Sequence, residues 1–275
     1  MPELPEVETF VRELEPQLRG RRVTGAIVPW PRILATPSVE EFAEQIVGEE
    51  FVTFGRRAKY MLLGLSSGAT LIVHLRMTGH LHVLDSEIRP DKHTHVVMTL
   101  DDGRRLHYQD PRKFGRLWLV NDIEPVLRKL SAEPLGEDFT VAWLAERLKG
   151  RSAAIKALLL DQTIAAGVGN IYADESLHLA GIHPSRSGAS LSSSEIEKLH
   201  TAIRTVLQHG IDKHGSSLGG SILTNYRRPN GELGQMQDEF QVYDRKGEAC
   251  RTCGKPIQRI VIAQRSSHFC EECQR

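Results

Sequence analysis

The chain is expected to fold as a multidomain α+β protein. Short β-rich runs crowd its first half, helical periodicity takes over near Ala132-Glu133-Pro134-Leu135-Gly136, and four cysteines close the C-terminal end. Taken in order, Val7, Phe10, Val11, Leu14 and Leu18 share one helical face, with Pro5 suited to a first turn and Pro16 expected to kink or end the helix. The runs Arg22–Val28, Lys59–Leu65, Leu71–Leu75, His95–Leu100, Arg104–Tyr108 and Arg116–Val120 follow, punctuated by Ser67-Gly68 and Asp102-Gly103. Strands this short and this closely spaced predict an antiparallel sandwich or barrel, not a parallel α/β sheet. Val141–Leu148, Ala153–Leu160 and Ile171–Leu179 read as helices, and the capping box Ser192-x-x-Glu195 opens another with Ile196, Leu199, Ile203 and Leu207 inward. From Gly215 to Gln241 the chain is rich in Gly, Ser, Asn and Pro, which predicts a long mobile loop of the kind that serves as a lid. The expected boundaries are 1–131 for the β-rich domain, 132–240 for the helical domain with its loop at about 215–240, and 241–275 for the cysteine module.

Composition narrows the class without naming it. At 275 residues the chain has room for two domains and a small module. No run approaches the roughly 18–20 apolar residues of a membrane span. The 35 basic and 35 acidic side chains cancel, so bulk charge announces no polyanionic partner. The distribution is more telling. Residues 1–50 carry five Arg against ten Glu, Arg104–Arg116 carries five cations against Asp110, and residues 242–275 carry seven cations against four acids. Two basic patches on a neutral protein suit a polyanion held in a restricted groove, although charge runs are often only solvated faces.

The cysteines carry the sharpest local signal. Cys250-x-x-Cys253 and Cys270-x-x-Cys273 are separated by sixteen residues, the spacing of two metal knuckles joined by a hairpin. Gly254 and Pro256 supply the turn chemistry. Two disulfides are the alternative, but a chain this long needs no staples and shows no signal peptide. Four thiolates leave no open position for water, so one zinc ion in a structural role is expected.

The first residues, Met1-Pro2-Glu3-Leu4-Pro5-Glu6, carry the chemistry. Loss of Met1 is expected, which leaves the secondary amine of Pro2 beside the carboxyl of Glu3. A terminal amine has a pKa near ~7.7–8.0 against ~10.4 for lysine, so its nucleophilic form is far more populated at neutral pH. A secondary amine that attacks a sugar aldehyde carbon gives an iminium that has no N–H to lose and acts as an electron sink. Taken alone, the six residues also fit the plain start of a surface helix.

Other constellations need weighing. Asp110-Pro111-Arg112-Lys113-Phe114-Gly115-Arg116 packs cations and an aromatic ring into a Pro/Gly-bounded loop, suited to phosphate contact and to wedging between bases, or to a solvated basic turn. Met77 in His74-Leu75-Arg76-Met77-Thr78-Gly79 also fits a core methionine. Gly167-Val168-Gly169-Asn170 precedes a helix and is no dinucleotide fingerprint, yet two glycines with backbone N–H groups at a helix start suit a phosphate. The twelve histidines show no metal spacing, and Lys59, Lys92, His93 and His95 have no informative spacing of their own.

Together, Pro2-Glu3-Leu4-Pro5-Glu6-Val7-Glu8, Arg57-Ala58-Lys59-Tyr60, His74–Gly79, Asp110–Gly115, Gly167-Val168-Gly169-Asn170-Ile171-Tyr172-Ala173 and the cysteine ribbon resemble the bacterial formamidopyrimidine-DNA glycosylases, in family order from residue 2 to residue 273. The resemblance implies an N-terminal β-sandwich with flanking helices, a helix–two-turn–helix domain and a four-cysteine zinc finger that grips DNA. It implies excision of oxidised purines, 8-oxoguanine and formamidopyrimidines, from a duplex by flipping the lesion out of the stack, followed by β,δ-elimination at the abasic site. Pro2 matches the nucleophile, Glu3 the proton donor, Lys59 the lysine tied to lesion processing and β-elimination, and Arg265 the finger arginine placed for δ-elimination. Met77, Arg112 and Phe114 match the trio that fills the gap left by the flipped nucleotide. His93, Arg151, Lys156 and Asn170 match positions that contact phosphate or support the site, and Tyr172 sits beside the phosphate turn. The loop at 215–240 corresponds to the segment that covers the extruded base.

The resemblance also implies a monomer acting on damaged double-stranded DNA in the bacterial cytoplasm, at the nucleoid, away from membranes. Met236 stands where an aromatic residue is common and Asp244 where glycine is common, which bears on fine base preference. Three other readings compete: an endonuclease VIII-like glycosylase for oxidised pyrimidines, a non-catalytic damage binder on the same scaffold, and an unrelated zinc-ribbon adaptor. Leu4 and the Met77/Arg112/Phe114 trio favour the purine enzyme. Intact Pro2, Glu3 and Lys59 disfavour the binder, and the N-terminal motif disfavours the adaptor.

Overall fold

The opening helix α1 (Leu4–Leu18) forms where the apolar periodicity predicts it, with Leu4, Val7, Phe10, Val11, Leu14 and Leu18 all buried. The computed structural model describes residues 1–218 and 226–275. Pro5 occupies the first turn, and Pro16 lies inside the last turn, so the helix runs two residues beyond it. A proline this close to the end removes one intrahelical bond and the chain then turns away. Each buried apolar side chain on this face contributes on the order of 1.5–3 kcal/mol relative to exposure.

Eleven strands among the described residues are β1 (Val23–Ile27), β2 (Leu34–Thr36), β3 (Phe51–Arg57), β4 (Tyr60–Leu65), β5 (Thr70–His74), β6 (His80–Leu84), β7 (Thr94–Leu100), β8 (Arg105–Gln109), β9 (Arg116–Val120), β10 (Gln258–Ile262) and β11 (Arg265–Phe269). The first nine form a four-stranded sheet, β1-β7-β8-β6, and a five-stranded sheet, β2-β9-β5-β4-β3. Every pairing is antiparallel except the short β2–β9 contact. The expected antiparallel sandwich is therefore present, with inward residues such as Met61, Leu63, Leu65, Leu71, Val73, Met98, Leu106, Leu117 and Leu119 in one core. Helix α1 contacts β3, β4 and β6 and so reaches both sheets. Helix α2 (Val39–Ile46), capped reciprocally by Ser38 and Glu41, packs on β1.

Helices α3 (Glu124–Leu127), α4 (Val141–Leu148), α5 (Ile155–Leu160), α6 (Asn170–Ala180) and α7 (Ser193–Asp212) follow. Helix α7 packs on α4 and α6, and α6 also meets α5 and β11 of the finger hairpin. Ser192 and Glu195 make the expected capping box, and the Glu195 carboxylate also pairs with Arg186, which holds it at about 2, well below its ordinary range.

The chain divides into two compact units, residues 1–128 with 213–235 and residues 129–212 with 236–275. This differs from the division at 131/132 and 240/241. Residues 213–235 return to the first unit because side-chain hydrogen bonds tie them there: Ser216 to buried Glu6, Arg228 to Glu13 and Pro229 to His82. The segment read as one long mobile loop is correspondingly more ordered among its described residues. Ser217 bonds Tyr226 O and Gly234 N, Arg228 and Glu232 close a turn, and Met236–Glu239 forms a 3₁₀ helix. The central part of the expected base-covering loop, 219–225, lies outside the described residues. Among the described residues no helix is long and apolar enough to cross a membrane.

Candidate active site and nucleic-acid interface

Pro2 and Glu3 are both buried at the start of α1. Glu3 caps the helix in a reciprocal box with Glu6, whose Oε2 accepts the Glu3 N–H at 2.8 Å. The other Glu6 oxygen accepts the backbone N–H of Ser216 at 2.8 Å and its hydroxyl at 3.0 Å. One buried carboxylate thus fixes both the residue after Pro2 and the start of the returning segment.

Lys59 lies at the tip of the two-residue β3–β4 hairpin, after the last pair Arg57↔Tyr60. Ala58 at this tip has φ 52°, a left-handed conformation that costs a residue with a Cβ roughly 1–2 kcal/mol. Arg56 holds the tip against α1: its Nε donates to Glu8 at 3.0 Å and its Nη1 to Ala58 O at 3.0 Å. Lys59 is itself buried. Nearby His74 is kept neutral by burial, reinforced by the cations of Arg76 and Lys59, and its pKa falls to about 3. Its Nδ1 accepts the Arg76 N–H at 2.9 Å, and its ring meets Tyr60 edge-on at 4.5 Å.

Met77 lies on the loop after β5, and Arg112 and Phe114 on the loop between β8 and β9; the Thr78–Asp110 hydrogen bond joins the two loops. Met77 is 38% and Phe114 48% exposed, and Arg112 lies over the Phe114 ring at 4.8 Å. Met77 is therefore not a core methionine. Asp110 organises both loops although it is completely buried. Its Oδ1 accepts the Thr78 hydroxyl at 2.5 Å and Arg112 N–H at 3.1 Å, and its Oδ2 accepts the N–H groups of Phe114 and Gly115, each at 2.7 Å. The loops also meet at Tyr108, whose hydroxyl is buried without a hydrogen-bond partner among the described residues. A Cβ on either Gly79 or Gly115 would collide with that oxygen, so both loop-closing glycines are sterically required. Arg76 and Lys113 hold positive φ values of 54° and 59° in these loops, strain of the kind that gathers at functional sites. His93, partly exposed, lines a cavity of about 210 Å³ with His80, His82, Gln109 and Arg227.

The second unit holds the remaining residues. Arg151 and Arg265 are exposed, and Asn170 is half-buried at the first position of α6 after its Gly169 cap. Arg265 opens β11 directly after the two-residue turn Ala263-Gln264, both in left-handed conformation. Two residues depart from the expectation of nucleic-acid contact. Lys156 and Tyr172 are each 0% exposed, and Lys156 Nζ is bound to Asp174 and to Asn170 O. Both side chains are enclosed within the unit, where the Asp174 carboxylate meets the lysine's charge. Gly167 is also committed internally, its N–H donating to Gln162 at 2.9 Å.

The four cysteine sulfurs lie within 4.8 Å of one another, with Cys250–Cys273 at 3.9 Å and Cys253–Cys270 at 3.3 Å. Tetrahedral Zn–S bonds of ~2.3 Å require sulfurs roughly 3.8 Å apart, so the cluster fits zinc. Gly254 shapes the first knuckle at φ 77°, and His178 Nε2 approaches Cys250 Sγ at 3.8 Å from α6. These thiolates make a structural zinc site.

Family models match along almost the whole chain: the formamidopyrimidine-DNA glycosylase N-terminal domain over residues 1–117, its H2TH domain over 130–221, and the zinc finger found in FPG and IleRS over 247–275. The chain belongs to the formamidopyrimidine-DNA glycosylase family. It is 52% identical to the formamidopyrimidine-DNA glycosylase of Chloroflexus aurantiacus, covering 100% of this chain and 98% of the relative. That of Herpetosiphon aurantiacus is 50% identical, with 100% of both chains covered. Among solved structures it resembles the MutM (FPG) protein of Thermus thermophilus, with TM-score 0.88, 39% identity and coverage of 99% and 98%. The Lactococcus lactis FPG bound to a FAPY-dG containing DNA gives TM-score 0.91 and 37% identity, covering 99% and 100%. For this member of the glycosylase family, sequence reasoning missed Glu6, Asp110 and Asp174. Glu3-x-x-Glu6 has the spacing of a capping box and was available as a signal, whereas the Thr78 donor to Asp110 and the Lys156, Ser267 and His268 donors to Asp174 come from segments distant in sequence.

Proposed function

We propose that the protein is a bifunctional DNA glycosylase and abasic-site lyase that removes oxidised purines, 8-oxoguanine and formamidopyrimidines, from double-stranded DNA. The observation that carries this reading is full-length family membership with every chemical residue of the family motif present, headed by Pro2-Glu3. The lesion is everted because its C1′ is inaccessible in the stack, and an oxidised base is cheaper to unstack than a normal one. The freed secondary amine of Pro2 attacks C1′, the glycosidic bond breaks, and its electron pair leaves with the base. Glu3 supplies the proton to the opening sugar ring oxygen. The resulting iminium acidifies the 2′ protons. Loss of one expels the 3′ phosphate, and a second elimination expels the 5′ phosphate.

Lys59 assists lesion processing and the first elimination, and Arg265 holds phosphate for the second. Arginine acts here as a clamp, since it stays charged throughout. Met77, Arg112 and Phe114 fill the vacated stack, which their exposure and shared anchoring on Asp110 support. His93, Arg151 and Asn170 contact phosphate, while Lys156 and Tyr172 buttress Asn170. In functional terms, residues 1–131 carry the chemistry, the helix–two-turn–helix region within 132–240 and the finger at 241–275 hold DNA, and the 215–240 segment covers the everted base. The zinc fixes the finger. We place the protein, as a monomer, in the bacterial cytoplasm on nucleoid DNA.

Turnover on paired duplexes tests the reading. Preferential release of 8-oxoguanine opposite cytosine is expected. Preference for thymine glycol would instead assign the endonuclease VIII class, and binding without release would assign a damage binder.

A further inference from the structure

The finger is attached to α6 through two adjacent buried carboxylates. Glu175 accepts the backbone N–H groups of Gln241, Val242 and Tyr243 at 2.8, 3.0 and 2.8 Å. Asp174 takes β11: its Oδ1 accepts the Ser267 hydroxyl at 2.9 Å, and its Oδ2 accepts His268 N–H at 2.9 Å with His268 Nδ1 at 3.3 Å. Lys156 from α5 neutralises Asp174 and also donates to Asn170 O at 3.0 Å, strapping the first turn of α6 to the same cluster. Asn170 Nδ2 in turn lies 3.5 Å from Ser266 Oγ. Ser266, Ser267 and His268 are thus each fixed to α6, and Arg265 is the next residue toward the hairpin turn.

We propose that Asp174, held by Lys156, is a positioning residue that sets the aim of Arg265 relative to Asn170. The proposal rests on the reading of Arg265 as the phosphate-holding group of the second elimination. Two features argue for aim over attachment. Glu175 and the finger's own core of Val242, Cys250, Ile257 and Cys270 already dock and close the module without Asp174. A carboxylate also saturates both of its oxygens on one short stretch of strand, which fixes register and rotation, whereas an apolar contact would fix only proximity. An ion pair shut away from water contributes little net stability against a hydrophobic replacement, so its use here is geometric.

The test measures the ratio of δ- to β-elimination ends per base released on 8-oxoguanine duplex, with zinc content measured alongside. Arg265→Ala sets the reference. Asp174→Asn is expected to lower the ratio about tenfold while one zinc per chain is retained, because a displacement near 1 Å at a reacting group costs up to roughly 100-fold. Ser267→Ala deletes one hydroxyl and keeps the ion pair, so it keeps the test decisive if Asp174→Asn loses its fold. A several-fold drop in the same direction is expected. A wild-type ratio in a zinc-retaining Asp174→Asn protein, or in Ser267→Ala when the first is unfolded, overturns the proposal alone. A wild-type ratio in Arg265→Ala overturns the reading of Arg265, and the proposal with it.

Discussion

Asp110 offers the most demanding prediction about how this site is held. Its carboxylate accepts four donors, the Thr78 hydroxyl and the N–H groups of Arg112, Phe114 and Gly115, with no exposure to solvent. In Asp110→Asn the amide oxygen can keep Phe114 and Gly115, and the Thr78 hydroxyl can reverse and accept. The amide nitrogen then faces the Arg112 N–H, donor against donor. Losing the charge from two bonds and one bond outright costs about 2–4 kcal/mol. Asp110→Ala strands all four donors and costs about 4–8 kcal/mol, less whatever entering water recovers. Urea unfolding followed by fluorescence measures the difference. Trp30 and Trp118 lie in the first unit and Trp143 in the second, so a Trp143→Phe background reports the first unit alone. The account predicts wild type above Asn above Ala, with Ala about 2–4 kcal/mol below Asn. Two variants within about 1 kcal/mol of wild type would refute the claim that this carboxylate organises the loops.

Three further outcomes are expected. His74 is neutral in the folded protein down to about pH 3, while the unfolded chain takes up its proton near 6.5. Its contribution to stability is therefore complete above pH 6.5 and is lost on acidification from there toward pH 3, at about 1.4 kcal/mol per pH unit, so His74→Gln flattens the acid limb of stability against pH by one proton. An unchanged slope in urea titrations between those limits would contradict it. Tyr108→Phe removes a buried hydroxyl that has no hydrogen-bond partner among the described residues, so melting temperature stays level or rises, and a loss above ~1 kcal/mol would show an unseen partner. Cys250→Ser, or chelation of the zinc, loosens the finger and weakens DNA binding in a titration while leaving the Pro2 amine chemically intact. Unchanged affinity would mean that the finger does not grip.

Local signals were legible in the sequence where one segment carried the whole message. The cysteine knuckles, the Ser192-x-x-Glu195 cap, the apolar run of Leu71–Leu75 and the alternation in Arg116–Val120 each have their physics within a few residues, and each is in the structure. Strands β3 and β6 escaped because Gly55, Arg56 and Arg57 in one, and His80 and His82 in the other, hide the apolar alternation. Helix α2 escaped although Ser38-x-x-Glu41 announces it. The site was legible as a set of motifs and not as a geometry. Nothing near Lys156 in sequence predicts that Asp174, eighteen residues on, will draw it inward. Nor does composition between 213 and 235 reveal that Glu6 and Glu13 await it on α1.

Borohydride trapping on 8-oxoguanine duplex, followed by peptide mapping of the adduct, tests the central claim most directly. The account predicts a stoichiometric covalent complex with the sugar on the nitrogen of a chain that now begins at Pro2. An adduct on Lys59, or active enzyme that yields none, would contradict it.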